Sequence, residues 1–211
     1  YSGAQAVPMY LSEEKNFSFN ADDVLNLISE KTRLLIINNP QNPTGGLIEK
    51  SEIDKLVKGL KKFPNVAIFS DEIYSRQIYD GKSMPSFFYY PELFDRLIVM
   101  DGWSKTYAMT GWRLGWSVWP KNLIENVTKM AINSYSCVSA ANQVAALAAL
   151  EGSDEFIKDM MKKFDKRRNL IVDGLNTITG IKCNKPGGAF YAFPNIKRTG
   201  KVTTVSYTHL R

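Results

Sequence analysis

The sequence of 211 residues predicts an α/β fold built on a mainly parallel β-sheet. As far as Trp119, short apolar runs of strand length alternate with turn-rich loops and a helical pattern, as in sheets with crossover connections. Beyond Lys121 the pattern changes to consecutive helices. With 44% hydrophobic and 23% charged residues, the composition is that of a globular protein able to bury a core.

Four apolar runs are the predicted strands, and four longer stretches are the predicted helices. The strands are Arg33–Asn38, Val66–Tyr74, Arg96–Asp101 and Gly111–Trp119. The helices are Glu49–Phe63 and residues 122–133, 139–152 and 153–178. In Glu49–Phe63, apolar residues recur at helical spacing and lysines lie toward the C-terminal end, which favours an amphipathic helix. Gly152 ends one helix, and Ser153 or Asp154 caps the next. Asn184–Ile196 is predicted to be a tight turn followed by a short strand.

Charge and cysteine usage exclude several classes of partner. The net charge of +6 is spread widely, and the densest basic run, Lys158–Arg168, is interspersed with acids. That run is interpreted as a solvated helix face, so no nucleic acid partner is predicted. No apolar run approaches the ~20 residues that span a membrane. Cys137 and Cys183 lack metal-type spacing, which predicts no metal site and a reducing, cytoplasmic location. Val205–Arg211, with the single His209, is predicted to be a non-biological tail.

Six polar or charged residues lie at the ends of the predicted strands or in the loops beside them. They are Asn42, Asp71, Tyr74, Ser104, Lys105 and Arg113. Each has an ordinary structural reading when taken alone: a rigid turn, a strand cap, a surface lysine or an ion-pair arginine. Ligands of open α/β sheets, however, bind outside the carboxyl ends of the strands, so these residues together indicate one binding site.

The motifs that carry these residues are NNPQNPTGG, SDEIYSRQIYDG and DGWSKTYAMTGWRLGW. In this order they resemble the motifs of class I/II aminotransferases, which are fold-type I enzymes that use pyridoxal 5′-phosphate (PLP). GGAFYAFPNI resembles the family's passage into its small domain, and the resemblance extends from Tyr1 to about Ile196. It implies a PLP-binding large domain over 1–150 that lacks its N-terminal part. A connecting helix and the truncated start of a small α+β domain follow over 151–204, with the tail at 205–211.

The resemblance also assigns roles to the six residues. Lys105 forms a Schiff base with the cofactor and moves the proton at the substrate α-carbon, because an amine on a long flexible stem suits both steps. Asp71 faces the pyridine nitrogen and keeps it protonated, so that the ring can accept electrons. Tyr74 and Asn42 donate hydrogen bonds to the 3′-oxygen of the ring.

The phosphate group of the cofactor requires a fixed charge with paired donors, which a guanidinium provides better than an ammonium. The resemblance gives this role to Arg113, together with the hydroxyl of Ser104. The sequence departs from the family's pattern at two points. Gly102 occupies the place where some aspartate aminotransferases have a phosphate-binding serine. The absence of arginine between Arg113 and Arg167 disfavours the dicarboxylate-specific subtype that uses one there.

The implied reaction is ping-pong transfer of an amino group between an L-amino acid and a 2-oxo acid. The implied protein is a homodimer, and this chain is expected to be an internal part of it without a complete active site. Two alternatives share the motifs: another fold-type I PLP reaction (β-lyase, decarboxylase or synthase), or a non-catalytic aminotransferase-like domain of a regulator. A nicotinamide-binding domain is disfavoured, because no G-x-G-x-x-G follows the first strand.

Overall fold

A four-stranded sheet forms the centre of the computed structural model, which describes residues 3–201. Its strands are β1 (Leu34–Asn38), β2 (Ala67–Asp71), β3 (Leu97–Gly102) and β4 (Gly115–Val118), in the order β1-β2-β3-β4. The first three are parallel and β4 is antiparallel to β3. The mainly parallel sheet predicted from the sequence is therefore confirmed. The predicted tail, Val205–Arg211, lies outside the described residues.

Six α-helices accompany the sheet within residues 3–201. They are α1 (Ala21–Leu27), α2 (Lys50–Leu60), α3 (Trp103–Thr106), α4 (Ile124–Tyr135), α5 (Ala140–Glu151) and α6 (Glu155–Asn176). Helices α2, α4, α5 and α6 match the four predicted ones. Helix α1 escaped prediction because it has only seven residues; it begins where the Asn20 side chain accepts hydrogen bonds from two backbone N–H groups. None of the helices within residues 3–201 is long and apolar enough to cross a membrane.

The hydrophobic core lies between one face of the sheet and helices α1 and α2. Helix α2 contributes the four apolar residues that recur at helical spacing in its sequence. They are Ile53, Leu56, Val57 and Leu60, and all four are buried. Ile37 of β1 joins this core, whereas its neighbour Ile36 is 64% exposed. Because alternate residues of a strand point to opposite faces, Ile37 and Ile36 lie on opposite faces of the sheet. At this edge, the described residues therefore cover only the face that carries Ile37.

Two strand boundaries differ from the prediction. Strand β2 ends at Asp71 instead of Tyr74, since the chain turns immediately after the acidic residue. Strand β4 begins at Gly115 instead of Gly111, because Thr110–Trp112 forms a turn of 3₁₀ helix and Arg113 takes a left-handed conformation with φ of 56°. A left-handed residue ends the helical turn and redirects the chain.

The segment after α6 contains no regular strand within the described residues, contrary to the prediction for Asn184–Ile196. Only isolated bridges form, between Ile78 and Gly188 and between Lys182 and Asn195. In α6 itself, the basic run is largely exposed as predicted, but Arg168 is an exception: its side chain is 3% exposed. The interpretation of the whole run as a solvated face is therefore wrong for this residue, whose charge is met by acidic groups described below.

Candidate active site

The candidate site lies at the carboxyl ends of the three parallel strands. Asn38, the last residue of β1, is in register with Asp71, the last residue of β2, and Asp71 is in register with Met100 of β3. The loops that leave these strands therefore begin at the same edge of the sheet. Asn38 links the first two, because its amide donates to the Asp71 carbonyl (3.2 Å) and its side-chain oxygen accepts from the backbone N–H of Asn42 (2.7 Å).

Asp71 is half-buried at the end of β2. Its Oδ1 accepts a hydrogen bond from the backbone N–H of Ile73 at 3.2 Å, and among the described residues its Oδ2 has no donor. Burial raises the pKa of the Asp71 carboxyl, against the smaller lowering effect of the Ile73 hydrogen bond. A half-buried carboxylate with one uncommitted oxygen can accept a hydrogen bond from a cationic N–H group, which would offset the cost of its burial.

Lys105 lies in α3, the short helix that follows β3. Its Nζ is 5.8 Å from the centre of the Tyr74 ring and 5.4 Å from that of Phe190. Among residues 3–201 no carboxylate lies within salt-bridge distance of this ammonium group. The backbone of Lys105 is also held, because its carbonyl accepts a hydrogen bond from the fully buried Gln77 at 3.1 Å. The amine is thus placed among aromatic rings without a counter-ion from the described chain.

Tyr74 is 2% exposed and lies next to the lysine. Its hydroxyl is 2.5 Å from the hydroxyl of Tyr191, a residue 117 positions later in the sequence. Burial first, and then this neighbouring hydroxyl, raise the pKa of Tyr74 well above its usual range, whereas the nearby amide of Asn42 lowers it slightly. The structure therefore brings Asn42, Asp71, Tyr74 and Lys105 together, as the sequence predicts.

Arg113 and Ser104 are placed differently. The Arg113 side chain is exposed, and its Nη1 donates to the carbonyl of Thr110 at 2.9 Å. The next residue, Leu114, accepts a hydrogen bond from the backbone N–H of Trp103 at 3.3 Å, so the backbone of Arg113 passes beside the start of α3. The structure brings the two segments together, but it shows no direct contact between the guanidinium group and the half-buried Ser104.

Gly102 lies at the junction of β3 and α3, where there is little room for a side chain. A Cβ atom here would lie 2.8 Å from the Leu114 carbonyl oxygen and 3.0 Å from the Gly115 Cα. Since both neighbours are backbone atoms, a serine at this position would force the two strands apart. The close approach of β4 to β3 in this chain therefore requires glycine.

Three residues near Lys105 were not predicted from the sequence: Gln77, Phe190 and Tyr191. Phe190 and Tyr191 pack edge-on against the Tyr74 ring, at centroid distances of 5.5 and 5.7 Å. The available signal was the motif GGAFYAFPNI, whose two glycines permit close approach to another loop. Gln77 carried no local signal, because a polar residue in a turn motif is most often solvated.

The comparisons with known proteins agree with this geometry. A family model described as aminotransferase class I and II matches residues 1–208. The chain belongs to the class I and II aminotransferase family. The resemblance drawn from the motifs is thereby confirmed, and so is the predicted fold class, since solved structures of the family share this fold.

Among curated family members, the aspartate aminotransferase of Sulfurisphaera tokodaii is 40% identical over 200 residues, which are 95% of this chain and 49% of that protein. The aromatic-amino-acid aminotransferase 2 of Thermococcus litoralis is 37% identical and covers 94% of this chain and 51% of its own. The crystal structure of the aromatic aminotransferase from Pyrococcus horikoshii OT3 matches 97% of this chain and 54% of its own, with a TM-score of 0.90 and 36% identity. This chain thus spans about half the length of the curated relatives that it matches.

Proposed function

We propose that this chain carries the cofactor-holding residues of a PLP-dependent aminotransferase, which transfers an amino group between an L-amino acid and a 2-oxo acid. The observation that supports this most directly is Lys105, an ammonium group without a carboxylate partner among the described residues, set against Tyr74 and Phe190. Bound PLP supplies the electron sink that stabilises negative charge on the substrate α-carbon. Family membership and the aminotransferase names of the relatives support the same proposal.

The residues present fit the cofactor. Asp71 would offer its uncommitted oxygen to the protonated pyridine nitrogen, and the positive charge there would offset the burial that raises the pKa of Asp71. Lys105 offers its amine to the aldehyde carbon. Asn42 and Tyr74 lie beside one another and provide an N–H and an O–H donor for the ring oxygen.

Arg113 is the residue that we assign to the phosphate group, with the Ser104 hydroxyl as a second donor. The guanidinium makes one hydrogen bond among the described residues, to the Thr110 carbonyl, and its remaining N–H groups can bind phosphate oxygens bidentately. Gly102 supports this assignment indirectly, because it lets the strand that follows Arg113 pack closely against the strand that precedes Ser104.

With PLP bound, the Lys105 amine would be the base that takes the proton from the substrate α-carbon and holds it for return. Its surroundings suit this task, since two aromatic rings lie beside the amine and no carboxylate among residues 3–201 neutralises it by a salt bridge. We further propose that the full protein is a cytoplasmic homodimer. The choice of amino acid depends on residues that bind the α-carboxylate and the side chain, and these are not among those assigned here.

The test is a half-reaction on the protein expressed from its complete reading frame and loaded with PLP. Addition of single amino acids in turn is expected to convert the bound cofactor to its amine form, with one equivalent of 2-oxo acid released for at least one of them. Lys105→Ala abolishes both signals, while Lys58→Ala, a change of an exposed lysine on α2, leaves them intact. Release of carbon dioxide, or of ammonia in equal amount with the oxo acid, would instead support a decarboxylase or a lyase. Bound cofactor without any reaction would support a regulator.

A further inference from the structure

The side chain of Gln77 is buried beside Lys105 with only half of its amide satisfied. It is 1% exposed, and its Nε2 donates to the Lys105 carbonyl at 3.1 Å. The direction of this bond is fixed, because a carbonyl oxygen can only accept. The Oε1 of Gln77 is buried as well and has no donor among the described residues. A buried acceptor without a donor destabilises a fold, so stability alone would favour an apolar side chain here.

The backbone of Gln77 is bonded to the two segments that carry the aromatic rings next to the amine. Its N–H donates to the Tyr74 carbonyl at 2.8 Å, within the loop after β2. Its carbonyl accepts from the N–H of Ala189 at 2.8 Å, and the next residue, Phe190, places its ring beside the Lys105 amine. One residue is therefore hydrogen-bonded to the helix that carries the amine and to both segments that surround it.

Helix α3 depends on such contacts for its position. It has four residues and no side-chain cap at its N-terminus, and a helix this short is not stable through its own hydrogen bonds. Within residues 3–201, two side-chain hydrogen bonds attach it to the rest of the fold. Trp103 donates to the Ala146 carbonyl at 3.1 Å, and Gln77 donates to the carbonyl of the lysine itself. Without the Gln77 amide, the Lys105 carbonyl would keep the N–H of Ala108 at 3.3 Å, so it would not be left unpaired.

We propose that Gln77 is a positioning residue whose amide fixes the backbone of Lys105, so that the amine stays beside Tyr74 and Phe190 in reach of the substrate α-carbon. This inference rests on the proposed function and adds to it a residue that does not touch the substrate. A displacement of about 1 Å in a reacting group can slow a reaction about 100-fold. Because the N–H of Ala108 still holds the Lys105 carbonyl, loss of the amide alone should slow the reaction roughly 10-fold.

The experiment compares Gln77→Met with the wild type in the full-length protein, since methionine keeps the length of the side chain and removes its amide. In a single half-reaction of the PLP-loaded protein, the maximal rate is expected to fall roughly 10-fold. The amino-acid concentration that gives half of this rate stays unchanged, and the rate ratio between the ordinary and the α-deuterated amino acid rises, because proton transfer becomes slower. In urea unfolding of the cofactor-free protein, the midpoint is expected to stay the same or to rise, since the oxygen that is removed had no donor.

Two controls are expected to keep the wild-type rate. Gln143→Met removes an amide-to-carbonyl hydrogen bond of 2.9 Å on the exposed helix α5, and Tyr79→Phe removes the hydroxyl that donates to the Ala189 carbonyl at 2.6 Å.

Four results would overturn the proposal. An unchanged rate in Gln77→Met would show that the amide does not position the amine, and a lower urea midpoint than in Gln143→Met would show that it stabilises the fold as a whole. An equal loss of rate in Tyr79→Phe would assign the effect to the segment around Ala189. A higher half-saturating amino-acid concentration at an unchanged maximal rate would indicate a contact with the substrate. A wild-type protein that converts no amino acid would instead refute the proposed function, and this inference with it.

Discussion

Replacement of Arg168 by methionine should destabilise the protein by about 3 kcal/mol. The guanidinium donates to both carboxylate oxygens of Asp80 (2.6 and 2.9 Å), to Oδ1 of Asp165 (2.6 and 3.0 Å) and to the Pro186 carbonyl (2.8 Å). It also lies 4.1 Å from the centre of the Tyr79 ring. One side chain thus joins α6 to the loop after β2 and to the segment that leads to Tyr191.

The magnitude follows from the exposure of each partner. Breaking a fully buried ion pair costs about 3–5 kcal/mol. Here the side chains of Asp80 and Asp165 are 51% and 46% exposed, so water can replace part of the arginine and the cost falls to about 2 kcal/mol. The Pro186 carbonyl would lose its buried donor, which adds about 1 kcal/mol. Methionine and arginine have similar helix propensities, so α6 itself is unaffected.

Urea unfolding of the full-length protein measures this loss as a change in midpoint at constant slope. Lys166→Met, an exposed position two residues earlier on the same helix, is the matched control and should change stability by less than about 0.5 kcal/mol. A loss below about 1 kcal/mol for Arg168→Met would refute the reasoning, because it would show that the segment around Pro186 is held without the arginine.

The difference in stability between the wild-type protein and Arg168→Met is predicted to depend on pH. The hydrogen bond from Arg168 is the main reason that the pKa of Asp80 lies below its ordinary value of 3.8. A carboxyl group with a lowered pKa stabilises the folded state above its unfolded pKa of about 3.9, and this contribution is lost as the pH falls through the folded value. The difference in stability between wild type and Arg168→Met should therefore be constant near neutral pH and should narrow below about pH 4.

Two further predictions concern the site. Asp71→Asn should stabilise the cofactor-free protein at pH 7, because burial raises the pKa of Asp71 and so disfavours its ionised form above the unfolded pKa. The same substitution should weaken PLP binding ~10-fold or more, measured by absorbance titration. Gly102→Ala should cost about 1–3 kcal/mol in urea unfolding through overpacking alone, since φ there is 178°, which any residue adopts.

Each of these has a result that contradicts it. A cofactor-free Asp71→Asn protein that is less stable than wild type would show that the carboxylate is satisfied in the folded chain. For Gly102, the matched variant is Gly111→Ala, where no atom lies within 4 Å of the added Cβ. Equal effects of the two alanine variants would mean that the contact with the Leu114 carbonyl does not determine the cost.

Local sequence patterns were sufficient to predict most of the secondary structure. The spacing of apolar residues in α2 determines which face is buried, because 3.6 residues per turn place Ile53, Leu56, Val57 and Leu60 on one stripe. Apolar runs that end in polar residues likewise located the strands that deliver Asp71 and Lys105. Boundaries were less well predicted, as with β4, since the left-handed turn at Arg113 has no glycine to mark it.

The sequence by itself thus determined the family and the mainly parallel sheet and nominated six candidate cofactor residues, because all of these depend on motifs and on short-range periodicity. Only the tertiary structure decided what surrounds them. Tyr191 contacts Tyr74 across 117 residues of chain, and Arg168 is buried within a run of charges that resembles a solvated face. Both facts depend on where α6 and the segment after it pack. Packing between distant segments leaves no periodic trace in the sequence, so the Tyr74–Tyr191 contact and the buried ion pairs of Arg168 emerge only from the fold.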